Sequence, residues 1–461
     1  MTKHLHFLLA VLVMSIAVVH AQKAQRVKAV GFGKNISGVP LELVKVPEGT
    51  YAWNYNNISG LGESGSRRVL VSSFYMSTRE VTNMQYKEFT DWVRDSIAAY
   101  LLGGIYLTVD KKTGVTSINW ATASKIDFND AKNQQKLAPM MLDASQTLSH
   151  HPEVNPDKLI YEVQGIDYQE AAKLENKGRN PNDFIYKYDI NIYPDTLVWI
   201  RDFGYSNNEQ MALGYYSGDQ YKNYPVVGIN WMQASAYCDW FTKQKMNREQ
   251  AQKKLAVGGL CRLPTETEWA YAANLNEDNS TLADNGKSDA ATISSTSSSQ
   301  DTLVYSTQLG TTKQHKSFWA SIGNFFRNNR PKYQQQPQPP QPVAVAVVNN
   351  KAEVDENAFL PINTMGRKIG KYGLSGMSDN VSEWTGTSYY EGGTNFENRF
   401  NPDIQWGTIH SESKYQRRRV VRGGSWKDIP RYNTINNRFY GDIYDDHSYI
   451  GFRIVVINLP E

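Results

Sequence analysis

Cys238 and Cys261 are the only thiols in the chain. Thiolates are nucleophiles and soft metal ligands, and in an oxidising compartment two thiols can instead close a disulfide, which would stabilise the fold by roughly 3 kcal/mol. The spacing around Cys238 allows another reading. Trp231, Ala234, Cys238 and Phe241 recur at helical intervals, which would bury Cys238 on an apolar stripe as a small packing residue. Both readings stay open. The other reactive types offer less. His150-His151 reads as a loop pair. Gly31-Phe32-Gly33-Lys34 lacks the Gly-Lys-Ser/Thr continuation of a phosphate loop. Arg417-Arg418-Arg419, the one dense basic block, reads as the exposed lead-in to a strand rather than a phosphate-binding patch.

Patterning places these groups on definite elements. Residues 41–46 alternate as a strand, Pro47-Glu48-Gly49 stops it, and residues 50–53 resume as the return strand of a hairpin. Residues 69–76 form a further apolar strand. Thr82 or Asn83 then caps a helix whose Tyr86, Phe89, Trp92 and Val93 share one face. From about 101 to 202, short strands mix with polar loops as an elaboration on a core. Residues 224–229 read as a strand, Asn230 as a cap, and the helix of the Cys238 stripe follows. Pro264 ends one element, and Thr265 with Glu268 has capping-box spacing for the next helix.

A chain of 461 residues holds one large domain or two to three ordinary ones. Its 40% apolar fraction and 28 tyrosines suit a folded protein. The formal charge of +3 is too small to call for a polyanionic partner, so no nucleic acid is expected. Residues 276–355 turn Ser-rich, then Asn-rich, then Gln/Pro-rich, a composition that cannot offset the entropy of ordering itself. A disordered or extended insertion is expected there. Within it Phe318, Trp319, Ile322, Phe325 and Phe326 suit either a short partner-docking helix or local packing. At the start, Lys3, His4 and His6 precede an apolar run over 7–19 and then Val19-His20-Ala21, the pattern of a cleaved signal peptide over residues 1–21. No cysteine adjoins the expected cleavage site to carry a lipid anchor.

Four segments in order carry a family pattern: Glu80-Val81-Thr82-Asn83, Pro225 to Trp240, Arg262 to Ala273, and Gly373 to Trp384 followed by Arg422 to Arg453. With them the chain resembles the formylglycine-generating, or sulfatase-modifying, domain. The resemblance implies an α+β fold, a variant of the C-type-lectin fold with low regular secondary structure and large insertions. Its first part would occupy residues 22–275, its C-terminal part 356–461, with the insertion of 276–355 between them. In the oxidase members two cysteines follow Gly-Gly-Ser and bind Cu(I) as soft thiolates. Here Asp428 and Asn433 stand at those positions, which implies no catalytic residue and no cofactor apart from a structural cation. The iron-dependent sulfoxide-synthase cousins need a histidine cluster whose spacing the eight histidines do not show. The family binds calcium near the segment matching Asp379-Asn380-Val381-Ser382-Glu383-Trp384, which makes Asn380 and Glu383 candidate ligands for structural Ca2+. Alternatively Asn380 caps a turn and Glu383 pairs with an arginine such as Arg422.

A narrower likeness lies in Asp91-Trp92-Val93-Arg94-Asp95-Ser96-Ile97, in Asp157-Lys158-Leu159-Ile160-Tyr161, and in residues 192–199 with Arg201-Asp202-Phe203. These segments resemble the GldK/PorK proteins of type IX secretion and gliding motility. That likeness implies a non-catalytic structural component, periplasmic at the inner face of the outer membrane. It would build a multi-copy ring with a GldN/PorN-type partner and outer-membrane components, touching the membrane through those partners. The missing lipoprotein cysteine and the long insertion depart from that pattern. Two other readings remain: a lectin-like ligand-binding module, on the supply of Tyr and Trp for loops carried by a stable frame, and a formylglycine-generating-type oxidase, which Asp428 and Asn433 oppose.

Overall fold

The computed structural model describes residues 30–32, 41–55, 65–147, 149–202, 208–246, 259–276, 361, 363–364, 369–391, 399–406, 413–429 and 433–457. The expected signal peptide, Phe203, Gly33 with Lys34, and the insertion beyond residue 276 with its helix near 318–326 lie outside them. Strand and helix are mixed along the whole chain. In order the strands are β1 (Val30–Phe32), β2 (Leu41–Val46), β3 (Gly49–Tyr55), β4 (Gly65–Val71) and β5 (Phe74–Ser77). Six short ones follow in the elaboration, from β6 (Leu107–Val109) to β10 (Ile160–Ile166) and β11 (Ile185–Asn191). The last are β12 (Leu260–Arg262), β13 (Ser382–Ser388), β14 (Arg418–Arg422), β15 (Arg438–Asp442), β16 (Ile450–Gly451) and β17 (Val455–Ile457). One sheet runs β1-β2-β5-β17-β12 and a second β15-β14-β13-β16.

The hairpin expected at 41–53 does not form. Leu43 and Val44 point to opposite faces of β2 and are both fully buried, so both faces of β2 are covered, and its backbone takes a partner on each edge. It finds β1 and β5, while β3 pairs with β4 as a separate ribbon. Residues 69–76 break into β4 and β5 at Ser72-Ser73, where the Ser72 N–H donates to Asn401 Oδ1 at 2.7 Å. Residues 224–229 are not a strand and make a single isolated bridge, Pro225 with Thr82. The Val226 N–H donates to Val81 O and the Gly228 N–H to His447 O, two different segments, so no ladder can continue. Gly228 has φ +70, and a Cβ there would collide with Asp195 O, so the bend requires glycine.

The capping signals are realised. Thr82 caps α1 (Asn83–Leu102) in a capping box with Gln85, and Asn230 caps α2 (Trp231–Trp240) in one with Gln233. Before α3 (Glu266–Asn276), Thr265 Oγ1 accepts the Glu268 N–H and the Glu268 carboxylate accepts the Thr265 N–H. Tyr86, Phe89 and Val93 bury one face of α1 as expected, with Trp92 half-buried. The Tyr86 ring stacks on Tyr237 of α2 at 5.7 Å and meets Phe452 edge-on at 6.3 Å. Each such aromatic removed from water contributes about 1.5–3 kcal/mol. Cys238 on α2 and Cys261 on β12 are both buried, unbridged thiols. Burial, with the Cys238 thiol hydrogen-bonded beside it, pushes the Cys261 thiol well above its ordinary range. No described helix is long and apolar enough to cross a membrane.

Candidate functional site

The segments picked out in the sequence converge on one buried knot. Glu383 on β13 is wholly shielded from water. Its Oε2 accepts from Arg453 Nε at 2.6 Å and from the Trp269 indole N–H of α3 at 2.7 Å, and its Oε1 accepts from Arg453 Nη2 at 2.7 Å. Arg453 also donates to the carbonyls of Ser77, Ser375 and Gly376. Burial alone would lower the Arg453 pKa, but the Glu383 carboxylate more than offsets it and holds the value above the usual range. Beside this pair the Val81 N–H donates to Phe452 O, the Trp384 indole to Ile229 O, and Asn380 Nδ2 to Glu80 Oε1 at 3.0 Å.

A second buried carboxylate closes the far side. Glu266, at the start of α3, accepts from Arg438 Nε at 2.6 Å and Nη2 at 3.0 Å, and Arg422 Nη1 lies 3.8 Å from it. Arg422 also donates to Ile435 O at 3.0 Å, and its guanidinium lies over the Trp269 ring. The expected pairing of Glu383 with Arg422 is therefore replaced: Arg453 takes Glu383, and Arg422 turns to Glu266. The reading of Arg417–Arg419 as an exposed lead-in also fails at two of its three residues, since Arg417 is 5% and Arg419 4% exposed. Arg417 is buried against Asp442, and Arg419 packs over the Trp231 ring.

The turn after β14 is where the chain would carry a reactive pair. Gly423 has φ +80, and a Cβ there would sit 2.9 Å from Met377 O, so this turn too requires glycine. Asp428 folds back on the turn: its Oδ2 accepts the Ser425 N–H at 2.8 Å and the Ser425 hydroxyl at 2.7 Å. Asn433 lies on the return path towards β15, and its buried Oδ1 has no hydrogen-bond partner among the described residues. A carboxylate committed to a turn and a neutral amide are hard oxygen donors, so these residues do not fit Cu(I). Calcium does not fit at Asn380 with Glu383 either. Both Glu383 oxygens are taken by a guanidinium and an indole, and a dication there would face Arg453.

The pattern of the sulfatase-modifying factor enzyme 1-like domain matches residues 34–458. The chain belongs to this family. A curated relative, the formylglycine-generating enzyme of Bos taurus, is 22% identical over 235 residues, which cover 50% of this chain and 39% of that protein. Among solved structures, PvdO from Pseudomonas aeruginosa aligns with 93% of this chain and 98% of its own at 11% identity and a TM-score of 0.39. Treponema denticola variable protein 1 aligns with 93% and 98% at 15% identity and a TM-score of 0.32.

The elaboration is tied into this family frame by charge. Arg201, at the end of a short helix over Val198–Arg201, donates to Asp195, to Asp446 and to the Asp446 carbonyl. Asp202 accepts the Ser448 N–H at 2.7 Å and the Ser448 hydroxyl at 2.8 Å, with His447 Nδ1 at 3.4 Å. Burial alone would raise the Asp202 pKa, but the hydrogen bonds from His447 and Ser448 hold it below the usual range. Trp199 stacks on Trp426 at 5.7 Å, directly behind the Asp428 turn. Sequence reading singled out Arg201-Asp202 but not what they hold. It missed Glu266 and Arg438, for which spacing within an element gives no signal.

Proposed function

We propose that this chain is a non-catalytic member of its family, retained as a structural component of the type IX secretion and gliding machinery. The observation that carries the reading is Asp428, which caps the turn where the oxidases need a thiolate. The GldK/PorK-like segments support the finer assignment: Asp91–Ile97 lies on α1, and Arg201-Asp202 anchors the elaboration to the frame. In this reading the fold is a C-type-lectin variant with large insertions. The protein is exported to the periplasm and joins a GldN/PorN-type partner in a multi-copy ring at the inner face of the outer membrane. A peptide-thiol oxidation assay with added copper tests the first half. No turnover is expected, and turnover would overturn it. Affinity purification from native envelopes tests the second half and should bring down secretion partners. A monomer that purifies alone, from cells whose secretion survives deletion of the gene, would sink it.

A cleft of about 570 Å³ between the first sheet and residues 401–405 favours a second reading, a ligand-binding module. Tyr75, Lys45 and Asn401 line it, with the Arg262–Glu268 ion pair and Asp403. Aromatic, amide and charged groups around one concavity suit a polar ligand. A glycan and peptide screen in which nothing competes for the cleft would remove this reading.

A further inference from the structure

The second sheet ends at β15, and among the described residues no strand lies beyond it. Its face carries an unbroken stack of rings and guanidinium groups. The Arg438 guanidinium lies 4.6 Å from the Tyr389 ring centroid, Tyr389 lies 4.5 Å from Tyr440, and Arg418 lies 4.3 Å from Tyr440 and 4.6 Å from Tyr415. Tyr415 is 70% exposed and Tyr440 39%.

Three arginines near this edge differ in what holds their charge. Arg438 is matched by Glu266 and Arg417 by Asp442. Arg418 stands opposite Asp442 in the ladder, but that carboxylate is spent on Arg417 and on the Tyr444 N–H. Two rings lie against the Arg418 guanidinium, and among the described residues no acceptor takes its N–H fork. A fork held this way is preorganised for a carboxylate or phosphate.

We propose that β15 and Arg418 dock an acidic, extended segment of a partner protein, which adds a strand to the free edge and places a carboxylate in the Arg418 fork. The edge favours a polypeptide over a phosphate source, because strand N–H and C=O groups that no described strand pairs are satisfied by another backbone. The charge count points the same way. A single unmatched arginine suits one carboxylate, whereas phosphate sites gather several cations or backbone N–H groups. The inference requires a protein partner, as the assembly reading does, but no particular machine.

The test is a fluorescence-anisotropy titration of the full chain with a short labelled peptide alternating glutamate and threonine, and with its lysine counterpart. The acidic peptide should bind and the basic one should not, and amide exchange should slow over residues 438–442 in the complex. Arg418→Ala should weaken binding about tenfold. Arg418→Lys, which keeps the charge but not the fork, should remain weaker than the native protein. Tyr415→Ala, at an exposed position that leaves the fold intact, should weaken it by about threefold. Equal binding of both peptides, undiminished binding by folded Arg418→Ala, or no protection at 438–442 would each overturn the proposal. So would displacement of the acidic peptide by inorganic phosphate at equal concentration. The assay reads no secretion, so its failure leaves the assembly reading standing.

Discussion

Arg453 and Arg418 are the same side chain in opposite circumstances. Arg453 is fully buried, with its donors spent on Glu383 and three carbonyls. Arg418 is half-buried, held by two rings, with its fork unspent. The first arrangement fixes segments far apart in sequence, and little around it can change without exposing a charge to an apolar interior. The second fixes nothing but itself. A frame can keep the first kind of arginine for folding and is free to vary the second for recognition.

The sharpest way to break this comparison is at the knot. Arg453→Met leaves the Glu383 carboxyl without its guanidinium partner at zero exposure, and should cost about 3–5 kcal/mol, read as a lowered midpoint in urea. Replacing both partners by methionine should cost less than the single change, because the orphaned carboxyl is then gone. A single variant that loses under about 1 kcal/mol would mean that the pair does not hold the closing segment.

Glu266 is a milder version of the same test. Glu266→Gln keeps the shape but leaves Arg438 and Arg422 facing a neutral group, and the expected loss is about 2–3 kcal/mol. Burial alone already depresses the Arg422 pKa, although Glu266 works against it. A loss as large as that at Arg453 would erase the ranking of the two carboxylates.

Next in size is the tether of the elaboration. The folded Asp202 pKa lies below that of an unfolded aspartate, about 3.9, so the native state favours the ionised form. Its stabilisation is complete above the unfolded value and is lost as the pH falls through the folded one. Asp202→Asn should cost about 1–2 kcal/mol near neutrality and flatten the loss of stability below pH about 4, measured by thermal unfolding across that range. An unchanged acid limb would assign the effect to other carboxylates.

How much of this was legible in the sequence follows from the range of each interaction. The caps at Thr82, Asn230 and Thr265 were readable because both partners lie within three residues. The turn at Asp428 was placed by Gly423-Gly424-Ser425, and its bond back to Ser425 likewise lies within three residues. The hairpin at 41–53 was misread because Pro47-Glu48-Gly49 is a genuine stop, while the strand that pairs with β2 is β5, beyond the separate β3–β4 ribbon. The pairing of Glu383 with Arg453 spans 70 residues, and nothing local distinguishes it from a pairing with Arg422. The surroundings of Glu383 were hidden for the same reason: the guanidinium that occupies the carboxylate arrives from a distant segment.

The smallest expected effect sharpens the comparison most. Arg418→Ala removes two cation–π contacts at a partly exposed site, and such contacts contribute about 0.5–1 kcal/mol each when exposed, against the entropy of holding a long side chain in place. The net change in unfolding free energy should therefore stay within about 1 kcal/mol, several-fold below that of Arg453→Met. A fold indifferent to Arg418 has no structural reason to hold a guanidinium between Tyr415 and Tyr440. An Arg418→Ala variant as unstable as Arg453→Met would place Arg418 in the frame instead, and the edge at β15 would lose its claim to be a recognition surface.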